Sequence, residues 1–451
     1  MNALQRVGGL IALLTVCSFL AIVLYTRKNE YTAYKELGVN HQDIYGSLNE
    51  EVDRLTKLLA AERQKLERVR IEVEEYVKLR NNAATRRDTT WSKPIGVLVF
   101  VCNRADAIRV HLEKLIKYRK NPTAFPIIVS QDCDNDAVAN VVTSFGDQVQ
   151  YIKHVSGEKA NITIPANQHQ YTSYFRIARH YKLGLDHVFN KLGVDSVIIT
   201  EDDLDIAPDF FDYFAGTRWL LDADASLFCV SAWNDNGKAA VIDTTAATKL
   251  YRSDFFPGLG WMFTKSFWDE LAPKWPKGFW DDWLRDPAQR KGRSCIRPEI
   301  SRTAMTQFGQ KGASQGLFFN QYLKKIMLNT DPVNFTNLDL QSLTKSNYDT
   351  AFVDVVYGLP NVTINDAIAK TLKSEERGST YRIEYGNMTQ YTEVARKLKI
   401  MFDTKAGVPR TAYKGIVTAF INGVRLYAAP TLPWMGYDVT WEPPTVIEAD
   451  S

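Results

Sequence analysis

Val197-Ile198-Ile199-Thr200-Glu201-Asp202-Asp203 runs from an apolar stretch straight into three consecutive acids. A short apolar run rich in β-branched residues reads as a buried strand. Carboxylates clustered at its end then lie at the carboxyl edge of a sheet, where open α/β sheets bind their ligands. Successive strand residues point to opposite faces, so three acids in sequence place at least one on each face. One can hold a divalent cation while a neighbour bonds a sugar hydroxyl, because hard cations take carboxylate oxygens and leave positions open for phosphate. The plain alternative is a solvated acidic turn. The strand context favours the site.

Outward from this stretch the same alternation repeats. Pro94–Cys102 reads as a fully buried strand, and Val110, Leu112, Leu115 and Ile116 follow it at helical spacing. Phe125–Ser130, Val149–Ile152, Ser196–Thr200 and Leu227–Ser231 read as further strands, with a helix over Tyr174–Phe189. Strands alternating with helices predict an α/β fold, a mostly parallel sheet with helices on both faces. Gly312–Met327 has a helical look, and near Asp331-Pro332 the texture shifts to short strands and turns as far as Tyr385. Tyr413–Ala428 alternates like a hairpin turning at Asn422-Gly423. The tail from Pro430, rich in Pro and Trp, is expected to pack on the surface. These shifts predict a larger domain over 92–330 and a smaller carboxy-terminal one over 331–451.

The amino terminus carries a different signal. Val7–Thr26 contains no charged residue, and about 20 such residues span the hydrocarbon core of a bilayer. No small-x-small cleavage site ends the run, so a retained anchor is expected rather than a signal peptide. That leaves residues 1–6 as a tail, 7–26 as the anchor and 27–91 as a stalk. Arg6 precedes the span while Arg27 and Lys28 follow it, against the bias expected for a cytosolic amino terminus. In the stalk, Leu48, Val52, Leu55, Leu59, Leu66, Val69 and Val73 step by fours and threes, with Glu62 at one seam position. Such a heptad seam fits two chains pairing as a homo-oligomer or a single solvated helix.

Balanced charge, 55 basic against 52 acidic residues, gives no case for nucleic-acid binding. Four glycosylation tripeptides begin at Asn161, Asn334, Asn361 and Asn387. Outside the anchor stand four cysteines, Cys102, Cys133, Cys229 and Cys295, an even number that permits two disulfides in an oxidising lumen or four buried thiols. Neither a CxxC pair nor zinc-type Cys/His spacing occurs.

Two aromatic segments carry the remaining chemistry. Asp254-Phe255-Phe256-Pro257-Gly258-Leu259-Gly260-Trp261 sets a Pro/Gly turn among ring walls, which lines sugar pockets or simply fills cores. Phe279-Trp280-Asp281-Asp282-Trp283 embeds two carboxylates between tryptophans. Apolar surroundings raise a carboxylate's pKa toward the range of a general base; the alternative is an Asp capping the helix that continues past it. Taken alone, His180 reads as a core histidine, Arg104 as a helix-end salt bridge, and Asp132, at a strand end, as a more natural nucleotide contact.

Longer strings add a family resemblance. Val99–Arg104, Ile127–Cys133, Ile177–Tyr181, Glu201-Asp202-Asp203 with Ala207–Phe211, Cys229–Lys238 and Tyr251–Thr303 resemble the N-acetylglucosaminyltransferase I family, which acts on α-1,3-mannosyl glycoproteins. Val230-Ser231-Ala232-Trp233-Asn234-Asp235-Asn236-Gly237 and Trp280-Asp281-Asp282-Trp283 are the most specific of these, and the similarity covers residues 92 to 445. The resemblance implies a GT-A catalytic domain in the Golgi lumen behind a type II anchor, with manganese as cofactor. It also implies transfer of N-acetylglucosamine from its UDP sugar (UDP-GlcNAc), in β-1,2 linkage, to the α-1,3-linked mannose of a trimmed high-mannose N-glycan. Carried over by motif, Asp203 would ligate the metal and Asp281 would be the catalytic base. Arg104, Asp132, His180, Glu201, Asp202 and Ser314 would meet the donor. The disulfides would be Cys102–Cys133 and Cys229–Cys295. The stretch before Ser314 is longer than the family's usual one. Two other readings share these motifs: a β-1,2 transferase acting on protein O-mannose, and a silent membrane-anchored lectin.

Overall fold

Alternation along the central strands sends one set of side chains to each face of the sheet, and helices cover both. The structure, a computed structural model, describes residues 49–57, 59, 93–312, 316, 319, 320 and 322–441. The chain divides after Asp88. Before that point the described residues 49–57 are helical, tied by an Arg54–Glu51 ion pair at 2.9 Å. The expected anchor at 7–26 and most of the heptad seam lie outside the described residues, among which no helix is long and apolar enough to cross a membrane.

Past Asp88 the elements in chain order are β1 (Gly96–Val101), α1 (Ala105–Tyr118), β2 (Ile127–Gln131), α2 (Asp136–Thr143), β3 (Val149–Lys153), α3 (Thr172–Asp186), β4 (Ser196–Glu201), β5 (Leu204–Ile206), α4 (Phe210–Thr217) and β6 (Leu227–Ser231). Then come β7 (Leu250–Ser253), β8 (Trp261–Thr264), α5 (Lys265–Leu271), α6 (Trp280–Arg285), β9 (Ser294–Pro298) and β10 (Thr303–Met305). Eight strands form one sheet in the order β3-β2-β1-β4-β8-β6-β9-β7. β3, β2, β1 and β4 pair in parallel, as do β6 and β9, while β8 and β7 run against their neighbours. The sheet is therefore mostly parallel. Val97, Val99, Ile127, Val129 and Ile198 pack under α1, α2 and α4, while Leu98, Phe100, Ile128, Val197 and Ile199 pack under α3 and α5.

Two antiparallel insertions escape a periodicity reading. β8 is only four residues long, Trp-Met-Phe-Thr, and is recognisable as a strand through its partners β4 and β6. β5 and β10 form a separate two-stranded ribbon just past the acidic triplet. Of the helix expected over Gly312–Met327, residues 313–315, 317, 318 and 321 lie outside the described set, and Leu323–Lys325 is a single 3-10 turn.

Beyond Asp331 the expectation of short strands gives way to helical turns. Lys345–Gly358 is a run of short helical segments, followed by α7 (Ile364–Thr371). Then follow β11 (Thr380–Tyr385), α8 (Met388–Leu398), the small pair β12 (Thr404–Lys405) and β13 (Val408–Pro409), and the hairpin β14 (Val417–Ile421) to β15 (Val424–Pro430). At that hairpin's turn Asn422 and Gly423 both take positive φ, 50° and 87°, the conformation in which a two-residue loop matches strand twist. Ile383, Tyr391, Leu398, Val417 and Leu426 pack here in one apolar cluster with Val241 and Phe255 of the preceding region, and Thr89–Ser451 forms one compact unit.

Helix α4 lies hard against the segment at Phe335. A Cβ on Gly216 would stand 2.5 Å from the Phe335 carbonyl carbon and 2.6 Å from its oxygen, and backbone cannot move aside as a side-chain end can. Gly216→Ala is expected to destabilise the fold by about 1–3 kcal/mol. The denaturant midpoint should fall with an unchanged slope; an unmoved midpoint would contradict this packing.

Candidate active site

The chain runs from β1 outward through β2 and β3, then returns to place β4 on the other side of β1. That reversal makes the carboxyl ends of β1 and β4 the switch point of the sheet, the usual ligand position in sheets of this kind. β1 leads into Cys102 and Arg104, and β4 ends at Glu201 with Asp202 and Asp203 beyond it. The disulfide Cys102–Cys133 ties the loop after β1 to the loop after β2, while Cys229–Cys295 joins paired positions of β6 and β9. The first bond holds Arg104 and Asp132 on linked loops.

All three acids are largely withdrawn from water. Arg104 grips Asp202 with two nitrogens and Asp203 Oδ2 with Nη1 at 2.9 Å, and also donates to the Phe308 carbonyl at 3.0 Å. Glu201 Oε1 accepts from the Tyr181 hydroxyl at 2.6 Å. Burial, with the Asp203 charge adding to it, pushes Glu201 up to about 7. Burial also pushes Asp202 up to about 7, although the Arg104 guanidinium pulls the other way. Three buried acids beside one arginine leave negative charge that a cation would relieve.

A divalent cation fits these residues. Asp203 Oδ1 is buried and has no hydrogen-bond partner, an arrangement that burial makes costly without a ligand. Among the described residues no group of three or more His, Cys, Asp and Glu is arranged to hold a metal. Asp203 would offer that oxygen to the ion, with further positions open to phosphate and water as hard cations allow.

The remaining residues named from the sequence are placed as follows. Asp132, after β2, pairs with Arg179 of α3 at 2.6 Å. His180 is buried, its Nε2 3.0 Å from Ser130 Oγ and its ring edge-on to Phe100; burial holds it down to about 3, so it is neutral. Those contacts are those of a core histidine. Ser314 lies outside the described residues.

Asp281 corrects an expectation. Tryptophans were expected to surround it and raise its pKa. Burial does push the carboxyl up, but Arg285, one turn on in α6, pulls it further down, helped by backbone N–H groups. Arg285 Nη1 lies 2.9 Å from both Asp281 Oδ2 and Asp282 Oδ1. Asp281 is therefore ionised at neutral pH, with its side chain 42% exposed. The carboxylate is thus charged and reachable from solvent.

Tyr181 connects the two halves of the site and was not singled out from the sequence. Its ring stacks on Trp280 at 4.3 Å and on Phe100 at 4.1 Å, while its hydroxyl reaches Glu201. Burial, then the Glu201 charge, raise it well above an ordinary phenol, so it stays protonated and donates. Arg285 was missed as well, though four residues after Asp281 is the spacing at which helix charges meet.

Sheet-edge carboxylates, a buried oxygen without a partner and a separate ionised carboxylate define an α/β protein with an acid-rich site at the sheet's switch point. Comparison with known proteins specifies it further. The GNT-I family model matches residues 9–441, and the chain belongs to that family. It is 42% identical over 332 residues to the Arabidopsis thaliana alpha-1,3-mannosyl-glycoprotein 2-beta-N-acetylglucosaminyltransferase, covering 73% of this chain and 72% of that one. Similarity to solved structures is slight. The Pyrobaculum calidifontis mannosyltransferase PcManGT, in complex with GDP-Man and Mn2+, matches at 14% identity and a TM-score of 0.31, over 50% of this chain and 63% of that chain. Staphylococcus aureus TarS matches at 11% identity and 0.33, over 47% and 60%.

Proposed function

We propose that this protein is an inverting glycosyltransferase that moves N-acetylglucosamine from UDP-GlcNAc, in β-1,2 linkage, to the α-1,3-linked mannose of a trimmed high-mannose N-glycan. This step would start hybrid and complex N-glycan synthesis. The observation that carries the reading is the buried, unpartnered Asp203 oxygen at the β4 edge, beside Glu201, which Tyr181 links to Trp280, the residue before the ionised Asp281. Family membership and the name of the Arabidopsis relative support the same activity.

In this reading residues 92–330 form a GT-A catalytic domain and 331–451 a smaller domain whose apolar cluster takes in Val241 and Phe255 of the larger one. Arg104 and Asp132, on loops linked by a disulfide, face the nucleotide; Glu201 and Asp202 orient the sugar. Asp203 would hold manganese, which supplies charge to stabilise the leaving diphosphate. Asp281 takes the proton from the mannose hydroxyl. The freed oxygen then bonds to the anomeric carbon as the bond to UDP breaks, with the electron pair leaving on the phosphate. Attack from the face opposite UDP turns an α-linked donor into a β product, by the logic of a single base in inverting enzymes. The anchor at 7–26 would place the site in the Golgi lumen, where Asn161, Asn334, Asn361 and Asn387, all exposed, are open to glycosylation.

The test uses the full chain in detergent with UDP-GlcNAc, manganese and the trimmed high-mannose glycan, and determines the product linkage. A β-1,2 product on the α-1,3 arm is expected. Transfer only to an O-mannosyl peptide would redirect the reading to protein O-mannose. Glycan binding without transfer would leave a lectin.

A further inference from the structure

Helix α3 carries two tyrosines on one face. Tyr174 and Tyr181 are seven residues apart, two turns and about 10 Å along the axis. Tyr181 reaches Glu201 at the sheet edge. Tyr174, at the outer end, stacks on Phe279 with ring centroids 4.9 Å apart and planes 18° off parallel. Tyr171 stands edge-on to both, 5.5 Å from Phe279 and 6.2 Å from Tyr174. Phe279 immediately precedes Trp280-Asp281 and has φ of 52°, the left-handed region that bulky residues avoid. Strain of this kind persists where the surroundings over-determine a residue, often at a ligand site. Here Tyr171, Tyr174 and Phe175 hold the ring in place.

These rings are not simply core. Tyr171 is 40% exposed, and Tyr174 and Phe279 are half-buried. Phe279 stacks on Tyr174 and Trp280 on Tyr181, so the chain just before Asp281 runs along this face of α3, and the Asp281 charge acts on both tyrosines. Asp282 acts on Tyr174 as well. Arg285 pairs with both carboxylates and Lys405 with Asp282, so the surroundings of the rings are charge-balanced and suit a neutral ligand.

We propose that Tyr171, Tyr174 and Phe279 form the acceptor platform, a ledge on which the apolar face of a mannosyl residue stacks so that its hydroxyl meets Asp281. The inference rests on the transferase reading and adds residues that the family match does not assign. Ring faces suit the C–H side of a sugar, and few polar groups then set its orientation. The ledge selects the acceptor; the carboxylates of β4 serve the donor.

Steady-state kinetics on the full chain separate the two. Tyr171→Ala and Tyr174→Ala are expected to raise the KM for the trimmed glycan about tenfold, as loss of an aromatic anchor does. The KM for UDP-GlcNAc should move less than twofold, and Tyr174→Phe should keep the wild-type acceptor KM. An unchanged acceptor KM in both alanine variants overturns the proposal, and so does an equal rise in both KM values. Should Tyr174→Ala fail to fold, the exposed Tyr171 still decides. Should the wild type transfer nothing to the glycan, the transferase reading fails by itself. The ledge is then judged by saturation-transfer NMR with a mannose trisaccharide, where wild-type signals lost in Tyr171→Ala support it and signals kept overturn it.

Discussion

Asp281→Asn is expected to lower transfer by about 10²-fold or more while UDP-GlcNAc still binds. The amide keeps the shape of the side chain but cannot take a proton at neutral pH. Because Arg285 and the local N–H groups hold the native carboxyl below the ordinary range, wild-type Asp281 stays ionised down through mildly acidic pH. The loss should therefore be the same at every pH near neutrality. Asp282→Asn is the necessary control, since Arg285 grips both acids. It removes the second contact of the fork but leaves the base, and less than a tenfold loss is expected. Donor affinity by calorimetry and transfer by labelled sugar check both. Near-normal turnover by Asp281→Asn, or an equal loss in Asp282→Asn, would return Asp281 to the role of a helix-end residue.

Asp203→Ala should be comparably damaging by another route. It removes the buried oxygen that has no partner and the acceptor of one Arg104 bond. Loss of a preorganised charge contact typically costs about 10²–10³ in turnover, and retention of manganese in the presence of UDP should fall with it. Electron paramagnetic resonance of manganese, titrated against the variant, reads that retention without any turnover. Manganese affinity equal to that of the wild type would remove Asp203 as the ligand.

The parallel half of the sheet was legible because burial on both faces makes β1, β2 and β4 continuous apolar runs. Each strand read from such a run has its counterpart within a residue or two of the expected bounds. β8 was not legible. Its four residues pair antiparallel between β4 and β6, and nothing in so short a string distinguishes it from a loop. The stretch after Asp331 misled for a related reason. Short helical turns lack the length over which a period of 3.6 can be recognised, so their polar texture suggested strands and turns.

Within the site, residue types and local order marked Glu201, Asp202 and Asp203 as chemically interesting acids and left Asp281 and Asp282 open between a base and a helix cap; the family resemblance alone singled out Asp281. The partners of these acids were not marked. Arg104 lies 98 residues from Asp202, and Tyr181 lies 20 from Glu201. Contacts that distant in sequence exist only once β1, β4 and α3 are packed side by side. The charge state of Asp281 turned on a nearer residue, Arg285, four positions on in the same helix. Its tryptophan neighbours suggested a raised pKa, but the carboxyl follows the nearest cation in space. Local sequence thus specified the elements and the candidate acids, because propensity and periodicity act over a few residues. Electrostatics and burial depend on what three-dimensional packing brings near, and so the folded molecule alone assigned each acid its state.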